Sequence, residues 1–310
     1  MLDRREFMIT AAAAGVAVAK PKASEPETVV ASLYKSLTEE QKSKICFSWD
    51  HELRSKVDNN WHITPQKIGE YFNRDQQAMI GEIFRKLHNP DFVDKVMIHM
   101  MDDAGGLEKY SVALFGEPGK GKFEFVLTGR HCTARCDGDS VEGVAFGGPI
   151  FYGHQAGKEF TEKPDHPNNV YWFQAKRANE VFQALDGKQR ETALLTAPPR
   201  AEEKTKTVQL KAKGERFAGL PCGEMSKDQR GLVEKVLADL LIPFRKKDVD
   251  EAMKYIKASG GVESLNMSFY KGFDLGNDGV WDVWQLESSN MIWYFRGHPH
   301  VHTWVNIVKG

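Results

Sequence analysis

The chain has 310 residues, 41% of them hydrophobic and 27% charged, with four cysteines. That balance supplies enough apolar material for a sizeable core and excludes collagen-like and disordered classes. Lys+Arg 42 against Asp+Glu 43 leave a formal net charge of −1. Neither nucleic acid nor an anionic membrane surface is therefore an expected partner.

At the N-terminus, Asp3-Arg4-Arg5-Glu6-Phe7-Met8 precedes a short, weakly apolar run over residues 9–19. The run is too short to span a bilayer, and Ala17-Val18-Ala19 or Pro21-Lys22-Ala23 offers the small residues a signal peptidase needs. Paired arginines before such a run resemble a twin-arginine export signal. Residues 1–23 are expected to be a cleaved signal engaging the twin-arginine translocase. Residues 24–310 are expected to be a single periplasmic or secreted domain without stable membrane insertion.

Downstream, Thr38 to Gln41 and Ser226 to Gln229 match a capping box, and Asp186 to Gln189 is its carboxylate version. Prolines near the first helical position predict helices over residues 65–87 and 90–103, and a long helical region spans 226–257 with a break near Pro243. Apolar alternation predicts strands over 109–115, 123–136, 141–146, 208–211, 266–273, 280–287, 291–296 and 300–308. The last four have short connections, so they should form an antiparallel meander. The fold class is α+β: antiparallel sheet with a C-terminal meander packed against several helices. The polar segment 196–206, with Pro198-Pro199, marks an internal division or an exposed loop.

Two motifs imitate known sites. Gly116-Glu117-Pro118-Gly119-Lys120-Gly121-Lys122 copies P-loop spacing, but Phe123 stands where Ser or Thr must hold magnesium, and a strand follows instead of a helix. Residues 274–279 resemble part of a calcium loop, yet strands flank them and Gln285 sits at the twelfth position, so a hairpin turn is expected. Cys46, Cys132, Cys136 and Cys222 permit three complete disulfide pairings in an oxidising compartment. Along one regular strand Cys132 and Cys136 would lie about 13 Å apart, beyond disulfide reach, so they read as small buried hydrophobes or as partners of distant cysteines.

The most informative stretch is Gly297-His298-Pro299-His300-Val301-His302-Thr303-Trp304, which holds three of the ten histidines. On a strand, His300 and His302 project to one face roughly 6.6 Å apart, a spacing that lets two imidazoles converge on one transition-metal ion. His131, beside polar neighbours in the central strand, is the first choice for a third ligand. His154, His298 and Glu287 are further candidates, with Pro299 marking the strand entrance beside His298. His99 and Asp103 lie one helical turn apart, the spacing of a surface pair or of two ligands.

Gly129-Arg130-His131, Trp284-Gln285-Leu286-Glu287 and Trp293-Tyr294-Phe295-Arg296-Gly297 running into His300-Val301-His302-Thr303 together resemble the domain-of-unknown-function family numbered 3500. Its members carry a Gly-x-His strand mid-chain and a His-x-His-Thr strand near the C-terminus, over most of the mature chain. The family carries no established reaction, so the resemblance implies His131, His300 and His302 as the site and nothing about the substrate.

The expected function is an exported metal-binding protein in which these three histidines hold one copper, iron or zinc ion. It is either a mononuclear metalloenzyme, oxidative or hydrolytic, or a non-catalytic periplasmic metal or ligand-binding protein. Trp281, Trp284, Trp293 and Trp304 read first as core, and otherwise as walls for an aromatic or saccharide small-molecule ligand.

Overall fold

A computed structural model describes residues 25–155, 160–163, 169–274 and 276–310. The expected export signal lies outside the described residues. Among the described residues, eleven strands form one sheet: β1 (Cys46–Phe47), β2 (Ser111–Gly116), β3 (Phe123–Gly129), β4 (Cys132–Cys136), β5 (Ile150–His154), β6 (Leu194–Leu195), β7 (Leu220–Pro221), β8 (Asn266–Tyr270), β9 (Val283–Ser288), β10 (Met291–Arg296) and β11 (Val301–Ile307). The spatial order is β1-β2-β3-β4-β5-β11-β10-β9-β8-β6, with β7 on β8. Only β1 with β2 and β6 with β8 run parallel. The α+β class and the C-terminal antiparallel meander are as the sequence predicts.

The sheet is covered differently on its two faces. Strand residues that alternate toward one side, among them Leu114, Phe125, Leu127, Trp293, Phe295, Val301 and Val305, join one large core with the helices Pro26–Ser36, Arg74–Lys86, Trp172–Ala184 and Lys227–Leu241. The opposite side buries Phe151, Ile292, Tyr294 and Trp304 with Val57 and Val208, from irregular chain. Trp284, Trp293 and Trp304 are fully buried in these cores.

Helix starts follow the cap chemistry. Thr38, Asp186 and Ser226 each close a capping box with a glutamine three residues on, and Asn73 with Gln76 makes another that the sequence reading passed over. That cap splits the helix expected over 65–87 into Ile68–Tyr71 and Arg74–Lys86.

Three strand expectations need correction. Residues 123–136 are two strands, because the chain reverses at Arg130-His131 and pairs Gly129 with Cys132. The alternating pattern runs unbroken through the reversal, so it hides the turn. Residues 141–146 are no strand; only Val144 makes a bridge there, to Val308. Residues 208–211 are no strand; Val208 closes a short helical turn, Lys204–Val208, and 209–211 follow it without regular structure. In their place β5 fills the centre of the sheet, from a segment whose glycines and proline read as turn. All four cysteines are free thiols, and burial pushes Cys132 and Cys222 up to about 12, so they behave as small hydrophobes.

Buried neutral histidine makes this fold acid-sensitive. His88 donates from Nδ1 to the Phe84 carbonyl at 2.8 Å and packs between Phe84 and Phe244. Burial, opposed by that hydrogen bond, brings its pKa down to about 4. The unfolded chain therefore binds a proton near pH 6.5 that the folded chain refuses until near pH 4. The contribution is intact above pH 6.5 and falls across that window by about 3 kcal/mol. Urea unfolding of His88→Asn, whose amide can keep the bond to Phe84, should lose stability less steeply than wild type between pH 7 and pH 4. Equal slopes would rule out His88 as a source of the acid sensitivity.

Candidate metal centre

The three histidines meet because β5 lies between the segments that carry them. His131 occupies the β3–β4 turn with φ 53°, a left-handed conformation that histidine adopts more readily than most non-glycine residues. Its N–H donates to the Asn59 carbonyl at 2.8 Å, and its carbonyl accepts from the Gly153 N–H at 3.1 Å. Gly129 lets the turn sit close to the Tyr110 ring, which a Cβ there would meet at 2.2 Å. The Tyr110 hydroxyl donates to the Arg130 carbonyl at 2.8 Å. On the other side of β5, His302 pairs in register with Gly153, so no side chain intervenes between it and His131.

The ring centres of His131 and His300 are 5.1 Å apart, those of His131 and His302 5.0 Å, and those of His300 and His302 4.8 Å. Nε2 of His300 and Nε2 of His302 are 3.1 Å apart. Two donors at that separation, each about 2.0–2.1 Å from a shared ion, subtend roughly 100°, near the tetrahedral angle. One ligand atom from each of the three rings lies within 4.8 Å of the others. Donors on a tetrahedral ion lie about 3.4 Å apart, so closing all three onto one ion asks the His131 ring to approach by up to about 1.4 Å.

The hydrogen bonds behind the rings decide what the front nitrogens present. Nδ1 of His131 meets Asp103 Oδ2 in a very short bond, Nδ1 of His300 meets the Phe160 carbonyl at 2.9 Å, and Nδ1 of His302 meets Glu202 Oε2 at 2.7 Å. Each partner is an oxygen that accepts, so each Nδ1 carries the proton. A neutral imidazole then has a bare lone pair on Nε2. Burial holds all three rings neutral: His300 is lowered to about 4, His302 is well below its ordinary value with Arg296 adding to burial, and His131 is lowered although Asp103 opposes it. Bare lone pairs gathered this closely repel one another unless a cation stands between them. The donor set fits a transition-metal ion.

Asp103 ends the helix Val93–Ala104, and its side chain is only 2% exposed. It also accepts from Arg130 Nε at 2.7 Å. Burial raises its pKa, but the hydrogen bonds from His131 and Arg130 and the positive charge of Arg130 more than offset this and hold it ionised. Asp103→Asn keeps the shape while letting the amide present a donor to His131, which favours the wrong tautomer. Metal affinity should fall 10- to 100-fold, the usual cost of removing an outer carboxylate. Competition titration with a chromophoric chelator reads this directly; unchanged affinity would separate Asp103 from the site.

The other sequence candidates go elsewhere. His154 follows Gly153 and so points to the helix-covered side, where its Nδ1 lies 3.1 Å from Nδ1 of His99 and its Nε2 3.2 Å from Glu162. His99 is thus neither a surface residue nor a partner of Asp103. Glu287 is buried under Arg200 at 2.7 Å and Lys211 at 2.8 Å, an ion-pair role. His298 packs its ring edge-on to Phe273. Segment 196–206, read as linker or loop, lies across the sheet and delivers Glu202. Beside the three rings opens a cleft of about 600 Å³, lined among others by Asn59, Arg130, Phe160, Glu202 and Arg296. None of the four tryptophans lines it.

Fold and site together define an α+β protein with a buried three-histidine centre at the floor of a cleft. The chain belongs to the family described as Protein of unknown function (DUF3500), whose model matches residues 20–307. No curated protein and no solved structure matches it.

Proposed function

We propose that this chain is an exported metalloenzyme that binds one copper, iron or zinc ion through Nε2 of His131, His300 and His302. The observation that carries the reading is the set of three Nδ1–H donors, each held by an oxygen behind its ring, which leaves three lone pairs aimed at the same point. Among the described residues three ligands are supplied, and a substrate-sized cleft adjoins them, an arrangement that suits catalytic rather than closed structural centres. A bound ion supplies Lewis acidity in the zinc case and electron transfer in the copper or iron case. The protein's own part is to fix the rings through Asp103, Glu202 and the Phe160 carbonyl and to keep the floor of the cleft dry.

The Arg4-Arg5 pair ahead of a short apolar run, which resembles a twin-arginine signal, is in keeping with the same reading, since a protein folded before export can be loaded with a chosen metal first. The test is elemental analysis of protein recovered from the periplasm or medium under its own N-terminus, beside an Arg4→Lys/Arg5→Lys variant. Stoichiometric metal in exported wild type, with the variant retained inside the cell, is the expected result. Metal-free exported protein that takes up none of the three ions would overturn the metalloenzyme reading. If azide or another small anion fails to alter the metal's spectrum, the fourth position is closed and the protein is a carrier instead.

A further inference from the structure

We infer that the ligand of this cleft is a carboxylate with a flat apolar body, bound by Arg296 and the open position of the centre. The inference rests on the metal reading above and goes beyond it by naming a ligand class.

Charge is the first argument. Among the described residues, the ionic side chains about the cleft are Arg130, Arg296, Glu202 and, behind His131, Asp103. Arg130 is paired with Asp103 at 2.7 Å, and Arg296 Nη1 lies 3.3 Å from Glu202 Oε2. Two cations and two anions cancel, and the three imidazoles are neutral. The charge of an ion held by those imidazoles is therefore uncompensated, in a site whose ligands are buried and where an unbalanced charge is costly. An occupant of the open position that brings negative charge balances it.

Hydrogen bonding is the second. Arg296 is the cross-strand neighbour of His302, so both side chains rise from the same face of the sheet at adjacent positions. Its Nε is buried and has no hydrogen-bond partner among the described residues, although guanidinium N–H groups are strong donors that buried sites normally satisfy. Arg130 has no such vacancy at Nε, which is spent on Asp103, and its Nη2 donates to Gln155 at 2.7 Å. A carboxylate meets both demands: one oxygen turned to the ion, the other accepting from Arg296.

Shape is the third. Phe160 is 68% exposed, one of few large apolar side chains left so, and its ring stands edge-on to His300 at 5.1 Å on the cleft wall. An uncovered aromatic face beside a charged anchor suits a flat apolar body attached to the carboxylate.

The test uses the full chain loaded with Co²⁺, whose visible bands report the donor set, titrated with benzoate, with benzamide as the uncharged isostere and acetate as the charged ligand without a ring. Benzoate should shift the bands with a half-saturation concentration at least tenfold below those of benzamide and of acetate. Arg296→Gln should raise the benzoate value about tenfold, and Arg296→Lys, which keeps the charge without the planar fork, should fall between. Phe160→Ala should bring benzoate close to acetate. If Co²⁺ does not bind, the metal reading fails and takes this proposal with it. If Co²⁺ binds but benzamide matches benzoate, or both Arg296 variants match wild type, the carboxylate proposal is overturned while the metal reading stands.

Discussion

A His300→Ala/His302→Ala variant is expected to retain under about 5% of the metal carried by wild type while remaining folded. One imidazole on a flexible ring cannot replace three converging donors, and binding at such centres is steep in ligand number. The fold should tolerate the change. In the metal-free protein the two Nε2 atoms 3.1 Å apart present lone pairs to each other, so removing both rings relieves a repulsion as well as deleting packing. Elemental analysis after gel filtration gives the metal content, and thermal unfolding in the presence of a chelator gives the stability. Wild-type metal content in the variant would place the ion somewhere else.

Arg135→Met should destabilise the protein by about 3–5 kcal/mol, the range for breaking a buried ion pair from one side. Arg135 is 4% exposed and its partner Glu124 fully buried. Its Nη1 donates to Glu124 Oε1 at 2.6 Å and also to the Arg54 carbonyl, Nη2 donates to the Lys56 carbonyl at 2.5 Å, and Nε donates to the Pro149 carbonyl at 2.6 Å. The guanidinium thus fastens the end of the short helical turn Glu52–Ser55 to β4, a few residues before the Asn59 carbonyl that receives the His131 N–H. Removing it strands a carboxylate that Arg54 alone, at 3.1 Å, must neutralise. The double variant Arg135→Met/Glu124→Met should recover a large part of the loss in urea unfolding, because it removes the stranded charge as well. A double variant no more stable than the single one would show that the carbonyl bonds, not the ion pair, set the cost.

The histidine cluster was legible in the sequence because His-x-His on a strand fixes two rings to one face, and because Gly129-Arg130-His131 sits in a strongly patterned region. The turn at His131 was not legible. Arg-His lacks the Asn-Gly signature of a two-residue hairpin loop, and what permits it, the Tyr110 ring against Gly129, comes from another part of the chain. The carboxylates behind the rings were hidden for the same reason. Asp103 and Glu202 lie 28 and 100 residues from the histidines they orient, so no local pattern links them. His154 looked eligible because it follows a turn-rich segment that could approach the same region, but as the last residue of β5 it is sent by strand alternation to the helix-covered side while Gly153 faces the centre.

The central claim is tested most directly by crystals of the chain grown with zinc, copper or iron and measured at that metal's absorption edge. The account predicts one anomalous peak about 2.0–2.2 Å from Nε2 of each of His131, His300 and His302, with Nδ1 of each ring still facing its oxygen. A peak bound through Nδ1, or one touching fewer than three of these rings, would contradict it.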